Sequence, residues 1–233
     1  MSLSAEELKS LKNRAMMAEK GDGAFSVRIG VVGGRLEAGH LKAIAEVAER
    51  FADAQVHLTT RQGVEIPHVP FGNLEPLREA LEDAGLRLAS VGKCVRGITA
   101  CPGTYCKFGQ IDTQLLARRL HERFGGRGGL PHKFKIAVAG CRHGCTKPQE
   151  NDMGILGTPK GFVLFVGGKM GKSPRLADRM PDEIAGEKSL FVAVEAIVEW
   201  YSANGSPSER FGATLDRVGI DGLVSVLANG TKA

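Results

Sequence analysis

A chain of 233 residues with 42% hydrophobic and 24% charged side chains has the composition of an ordinary soluble globular protein, with room for one large domain or two small ones. The net charge of +5 and isoelectric point near 9.0 suit an anionic partner. Lysine and arginine are spread along the chain, however, and only 6% of residues are aromatic, which argues against a nucleic-acid stacking platform and fits a basic pocket for small anions.

The first twenty residues are charged throughout and lack an apolar segment, and the stretch 190–198 is broken by Glu195 and far too short for a bilayer, so neither an export signal nor a membrane span is predicted. Ser4 followed by Glu7 forms a capping box that opens an amphipathic helix through about Glu19, a solvated arm packing on a neighbour. Gly21 and Gly23 mark a hinge. From Phe25 the period changes to two: Phe25, Val27, Ile29 and Val31 alternate with Ser26, Arg28 and Gly30, as in a half-buried strand. Gly33 and Gly34 turn the chain into a helix of about 39–51 whose apolar face carries Leu41, Ile44, Ala45, Val47 and Ala48. Strands are predicted over 55–60 and 63–67, a helix capped by Asn73 runs to about Ala84, and a fourth strand covers 86–91. This βαββαβ order is the ferredoxin-like split arrangement. Gly30, Gly33 and Gly34 suggest a dinucleotide-binding turn as an alternative, but G-x-G-x-x-G is incomplete and the next strand ends in Thr60 and Arg61 rather than an acidic residue. No other flavin or nicotinamide signature is present, so electrons must come from elsewhere.

Residues 92–109 are loop-rich and carry Cys94, Arg96, Cys101 and Cys106. A helix over about 111–124, a glycine-rich connector over 125–129 and a basic strand over 133–139 lead to Cys141 and Cys145. Strands near 153–156 and 162–166, a long helix opened by Pro181 and ending near Tyr201, and two short helices after Ser206 complete the chain. Four of the five cysteines fall into the pairs Cys101/Cys106 and Cys141/Cys145, and thiolates grouped on two loops ask for a soft metal centre. An iron-sulfur cluster, a structural zinc and no metal at all remain open on the cysteines alone; a disulfide framework belongs to short secreted chains. Cys94 is close enough in sequence to be a spare ligand, although a small buried thiol is the commoner fate. Free cysteines without an export signal point to a reducing cytoplasm. Period two puts the ammonium groups of Lys133 and Lys135 on one face, with Phe134 and Ile136 pointing inward. That pattern suits an anion site, or a solvated strand edge defended by lysines.

These residues resemble the siroheme and iron-sulfur signature of the sulfite and nitrite reductase family. Cys141-x3-Cys145 matches it, with Lys133-Phe134-Lys135 before and Asn151-Asp152-Met153-Gly154 after. Cys101-x4-Cys106 is one residue shorter than the family's first pair but keeps the flanking Gly103-Thr104-Tyr105 and Lys107-Phe108-Gly109. Thr59-Thr60-Arg61-Gln62 and Glu209-Arg210-Phe211 extend the similarity over most of the chain.

The resemblance implies an α+β chain: a helical arm over 1–20, a ferredoxin-like βαββαβ domain over 21–92, and an α/β siroheme and iron-sulfur domain over 93–233 with C-terminal helices. It implies a [4Fe-4S] cluster on Cys101, Cys106, Cys141 and Cys145, the last bridging to siroheme, with Thr60, Arg61 and Gln62 also binding cofactor. Arg61 and Arg96 become fixed charges around an oxyanion, and Lys133 and Lys135 its proton donors. The implied reaction is six-electron reduction of sulfite to sulfide, or of nitrite to ammonia. Some nitrite reductases of the family replace the second lysine with asparagine, so Lys135 leans towards sulfite, while others keep both lysines. The electron donor would be a ferredoxin or a reductase subunit, with no nucleic-acid or membrane partner. Larger members carry two tandem copies of this unit, so a homodimer or higher even oligomer is expected. Two rival classes use the same thiolates: a zinc-stabilised basic nucleic-acid-binding module and a siroheme-free iron-sulfur electron carrier.

Overall fold

The computed structural model of the chain describes residues 3–21 and 23–230; the parts of the expected arm, hinge and C-terminal domain that fall on 1–2, 22 and 231–233 lie outside them. The chain divides into two compact units, Met1–Gly92 and Lys93–Ala233.

In the first unit α1 (Ala5–Asn13) opens on the capping box: the Ser4 hydroxyl accepts from the Glu7 N–H and the Glu7 carboxylate accepts from the Ser4 N–H. The helix stops well before Glu19. Ala15 turns the chain at φ +64°, and Met16–Ala18 forms β1, antiparallel to β2 (Ala24–Ile29) with Met16 opposite Val27. A place beside β2 buries Ala15 and Met16 completely, and that packing overrides the helical periodicity. β2 alternates as expected, with Phe25, Val27 and Ile29 inward.

α2 (Ala38–Phe51) buries Ile44, Val47 and Ala48, whereas Leu41 in its first turn and Ala45 are exposed, contrary to the expected face. β3 is only His57–Leu58, β4 is Val64–Pro70, and α3 (Leu74–Asp83) buries Leu74, Leu77 and Leu81. Asn73 does not cap α3 with its side chain; its amide donates instead to the Phe51 carbonyl at 2.9 Å. The antiparallel sheet has the order β1-β2-β4-β3. The expected strand over 86–91 shrinks to a single bridge, Leu88 opposite Ile29. β1 already occupies that edge: the Arg28 N–H donates to Ala15 O, and the segment is held only past the end of β1, by Ala89 N–H donating to Arg28 O and Gly30 N–H to Arg87 O. The apolar faces of α2, α3 and the sheet close one core.

In the second unit the sheet runs β5 (Thr99–Ala100), β6 (Ile136–Ala139), β7 (Met153–Thr158), β8 (Gly161–Val166) and β9 (Asp178–Arg179), in that spatial order. The first three are parallel and the last two antiparallel to their neighbours. β5 and β6 are joined through α4 (Thr113–Phe124), whose first turn is capped by the Asp112 carboxylate accepting from the N–H groups of Gln114 and Leu115. All four residues of β6 are buried, as befits a parallel strand covered on both faces.

The long helix begins at Glu187, not at Pro181: α5 is Glu187–Asn204. Residues 180–184 bend alongside β8 instead, with Met180 N–H donating to Leu164 O and Phe162 and Ile184 exchanging both backbone bonds, and Gly186 at φ +79° then starts the helix. α6 (Phe211–Val218) and α7 (Asp221–Gly230) are the two short C-terminal helices. Phe134, Tyr201 and Phe211 form a buried aromatic cluster, with ring centroids 5.1 to 5.8 Å apart, that ties α5 and α6 beneath the strand leading into β6. Phe211→Ala is expected to lower unfolding free energy by about 3 to 5 kcal/mol in denaturant titration, because the surrounding rings cannot collapse into the void; a loss under about 1 kcal/mol would show that the cluster is dispensable.

Candidate active site

Parallel pairing brings the two cysteine loops together. Ala100 lies opposite Val138, so the chain leaves β5 and β6 at the same edge of the sheet, into Cys101 and into Gly140–Cys141. The Cys101 N–H donates to Val138 O at 3.2 Å, the Cys101 Sγ accepts from Gly140 N–H at 3.1 Å, and the Gln110 N–H donates to Gly140 O at 2.8 Å. Gln114 Nε2 donates to the Cys101 carbonyl at 3.0 Å, fixing the first loop to the start of α4. That loop closes through Gly103 and Gly109: a Cβ on Gly109 would stand 2.0 Å from the Gly103 carbonyl oxygen, so only glycine fits. The second loop turns at Gly144, φ +59°, whose N–H donates to Cys141 O. The Phe108 ring of the first loop meets His143 of the second at 4.8 Å between centroids.

Cys101 and Cys141 are half-buried and Cys106 and Cys145 exposed, and all four are free thiols. Among the described residues no three His, Cys, Asp or Glu side chains converge on one metal position. A [4Fe-4S] cluster takes one thiolate on each of its irons, and four free thiols on adjacent loops of one sheet edge are the donor set it uses. Cys94 is apart from them, buried on the strand beside Phe134, and burial pushes its thiol up.

The cations of the second unit gather at the other end of β6. Phe134 N–H donates to Cys94 O and Arg96 N–H to Phe134 O, a short parallel ladder with Val95 opposite Phe134. Val95 and Phe134 are fully buried, so Arg96, Lys133 and Lys135 leave from the opposite face. The charges of Lys133, Arg210, Arg96 and Lys93 all bear on His132; they and, above all, burial hold its imidazole below the usual range. Between this cationic face and the cysteine loops lie the four residues of β6, about 13 Å of strand at about 3.3 Å per residue.

Two charged residues of the signature take roles that the sequence did not disclose. Asp152 is fully buried. Its carboxylate accepts from Arg210 Nη2 at 2.7 and 2.8 Å and from the Lys135 backbone N–H at 2.9 Å. Burial pushes the carboxyl up and the guanidinium opposes that shift. Glu209 accepts from Arg217, Ser206 N–H and Thr214, which together hold its carboxyl down at about 2.

In the first unit Thr60, Arg61 and Gln62 occupy the tight turn between β3 and β4. Thr59 N–H donates to Gly63 O at 2.8 Å, and the Thr59 hydroxyl accepts from Gly63 N–H. Gln62 adopts the left-handed conformation at φ +60° within this turn.

The family model for the nitrite and sulphite reductase 4Fe-4S domain matches residues 91–232. The chain belongs to the nitrite and sulfite reductase family. The ferredoxin-like half domain of these enzymes matches residues 17–84, so an α+β architecture of that order is established. The cofactors of the family, and of this chain, are siroheme and a [4Fe-4S] cluster. An NAD(P)H nitrite reductase from Emericella nidulans is 31% identical over 227 residues, covering 96% of this chain but 20% of that protein. An assimilatory-type sulfite reductase from Nitratidesulfovibrio vulgaris is 28% identical over 185 residues, covering 78% of this chain and 83% of that protein. The solved NirA protein of Mycobacterium tuberculosis shares the fold with a TM-score of 0.84 at 20% identity, over 99% of this chain and 48% of its own. The chain thus spans about a fifth of its fungal relative and about half of the structural one. No helix among the described residues is long and apolar enough to cross a membrane.

If the paired cysteines hold the cluster, Cys145→Ala loses it, read as iron and acid-labile sulfide per chain, while Cys94→Ala keeps both. Normal iron in Cys145→Ala with depleted iron in Cys94→Ala would reverse the assignment.

Proposed function

We propose that the protein reduces sulfite to sulfide by six electrons, with its [4Fe-4S] cluster on Cys101, Cys106, Cys141 and Cys145 and with Cys145 linking cluster and siroheme. The observation that carries the reading is the ladder of Val95 with Phe134, which aims Arg96, Lys133 and Lys135 from one face. The bound cofactors supply an open iron for the oxyanion and electrons one at a time.

The chain's own residues supply charge and protons. Arg96 and Arg61 act as fixed positive charges, since a guanidinium does not give up its proton at working pH. Lys133 and Lys135, on one face of the strand, are the donors whose Nζ protons go to the oxygens that depart as water. Phe134, locked among aromatic rings, keeps both lysines from rotating away. Thr60 and Gln62 contribute to cofactor binding from the turn that carries Arg61. Nitrite is the second reading, because nitrite reductases are among the relatives and the same charges suit a smaller oxyanion. The sulfite reductase most of whose length this chain matches supports sulfite.

β6 holds the cationic face and the cysteine loops at opposite ends, so we assign the two to different copies in a two-fold dimer, the cations of one protomer serving the cofactors of its partner. Electrons arrive from a separate ferredoxin or reductase subunit in the cytoplasm. A nicotinamide donor in the fungal relative's name fits this, since this chain covers 20% of that protein and carries no nucleotide fingerprint.

Turnover of sulfite and nitrite with a reduced dye as donor tests the reading. Lys133→Met and Lys135→Met are expected to keep both cofactors and lose about 100-fold or more in kcat, and Arg61→Ala to raise KM about tenfold. Near-normal turnover in the double lysine variant would reduce the lysines to guardians of a strand edge. For the dimer, light scattering should give two chains per particle, and mixing Lys135→Met with Cys145→Ala should restore about a quarter of wild-type activity, the share of intact sites expected from random pairing of a two-fold dimer. A fully active monomer contradicts the shared site.

A further inference from the structure

We propose that Asp152, gripped by Arg210, is a positioning residue that fixes the backbone of Lys135 and so the direction in which Lys133 and Lys135 leave the strand; this rests on the anion site proposed above. In a strand the N–H and C=O of one residue face the same neighbour. The Lys135 carbonyl accepts from Met153 N–H at 3.0 Å, so its N–H also faces β7 and in a continued ladder would meet the carbonyl of residue 151. The chain there comes out of the short helical turn Pro148–Glu150, closed by the Asn151 N–H donating to Pro148 O and the Asn151 side-chain Nδ2 to Lys147 O. The Asp152 carboxylate takes the vacant place at 2.9 Å. One residue earlier Phe134 is tied on the other side by Cys94 and Arg96, so the lysine strand is held along both edges.

One amide needs only a neutral acceptor, and a fully buried carboxylate is unfavourable unless paired. The fold supplies that pair from far along the chain. Arg210 reaches both carboxylate oxygens, and the adjacent Phe211 packs on Phe134 at 5.4 Å, on the underside of the same three residues. The signatures around Asp152 and Arg210 thereby become one clamp on Lys133–Lys135. Asp152 is fully buried and touches no substrate; it acts through the lysines.

Two double variants of the cofactor-loaded protein separate this role from bulk stability. Asp152→Asn with Arg210→Met removes both charges but keeps an acceptor for the Lys135 N–H, and Asp152→Leu with Arg210→Met removes the acceptor as well. The leucine pair is expected to speed hydrogen exchange at the Lys135 amide about tenfold and to lower kcat about tenfold, with anion KM changed by less than about threefold. The asparagine pair should stay within about threefold of wild type in all three. Should a double variant not fold, Arg210→Lys keeps the charge and loses the two-oxygen grip, and Lys135 exchange should rise as kcat falls. Unchanged exchange and kcat in the leucine pair, or in Arg210→Lys, overturns the proposal, as does an equal change in both pairs. A wild-type protein that reduces neither anion defeats the proposed function by itself, while the exchange comparison still decides whether Asp152 positions Lys135.

Discussion

Parallel pairing of Thr99–Ala100 with Ala137–Val138 is the constraint on which the second unit depends. Two strands that run the same way end at the same edge, so the loops that follow them are neighbours although forty residues separate Cys101 from Cys141. The pairing also requires a crossover, which α4 provides and which holds the first loop by hydrogen bonds from its first turn to the Cys101 carbonyl. An antiparallel arrangement would place the two pairs of thiols at opposite ends of the sheet. The C-x4-C loop closes where Gly103 and Gly109 meet, at a distance that leaves no room for a side chain on Gly109.

The same strand organises charge at its other end. β6 is buried along its whole length, and just before it the chain alternates Lys133, Phe134, Lys135. Packing of Phe134 among Tyr201 and Phe211 decides which face the lysines take, so an apolar interaction sets the electrostatics. Arg210 is already paired, its guanidinium bound to the buried Asp152 carboxylate inside the protein. The cationic face and the cysteine loops are thereby set at the two ends of one strand.

Much of this was legible in the sequence where the signal is local. The capping box at Ser4 and Glu7, the alternation from Phe25 to Ile29 and the Lys-Phe-Lys period each depend on residues within one turn or one pleat, and the structure follows them. The misreadings arise where tertiary packing decides. Met16–Ala18 reads as the end of a helix until β2 is available to pair with it. Pro181 has the form of a helix start, yet β8 offers a strand partner and the helix waits for Gly186. The stretch 86–91 has strand composition and loses its edge to β1. The partnership of Asp152 with Arg210 joins residues 58 apart, and no periodicity or spacing reports such a pair.

The central claim is that one set of paired cysteines holds an iron-sulfur cluster electronically joined to siroheme. The measurement that bears on it most directly is the absorption and electron paramagnetic resonance spectrum of anaerobically purified protein, recorded oxidised and reduced. The account predicts the Soret and Q bands of siroheme together with cluster absorption, both perturbed when sulfite is added. A colourless protein carrying zinc, or cluster absorption with no siroheme bands, would contradict it.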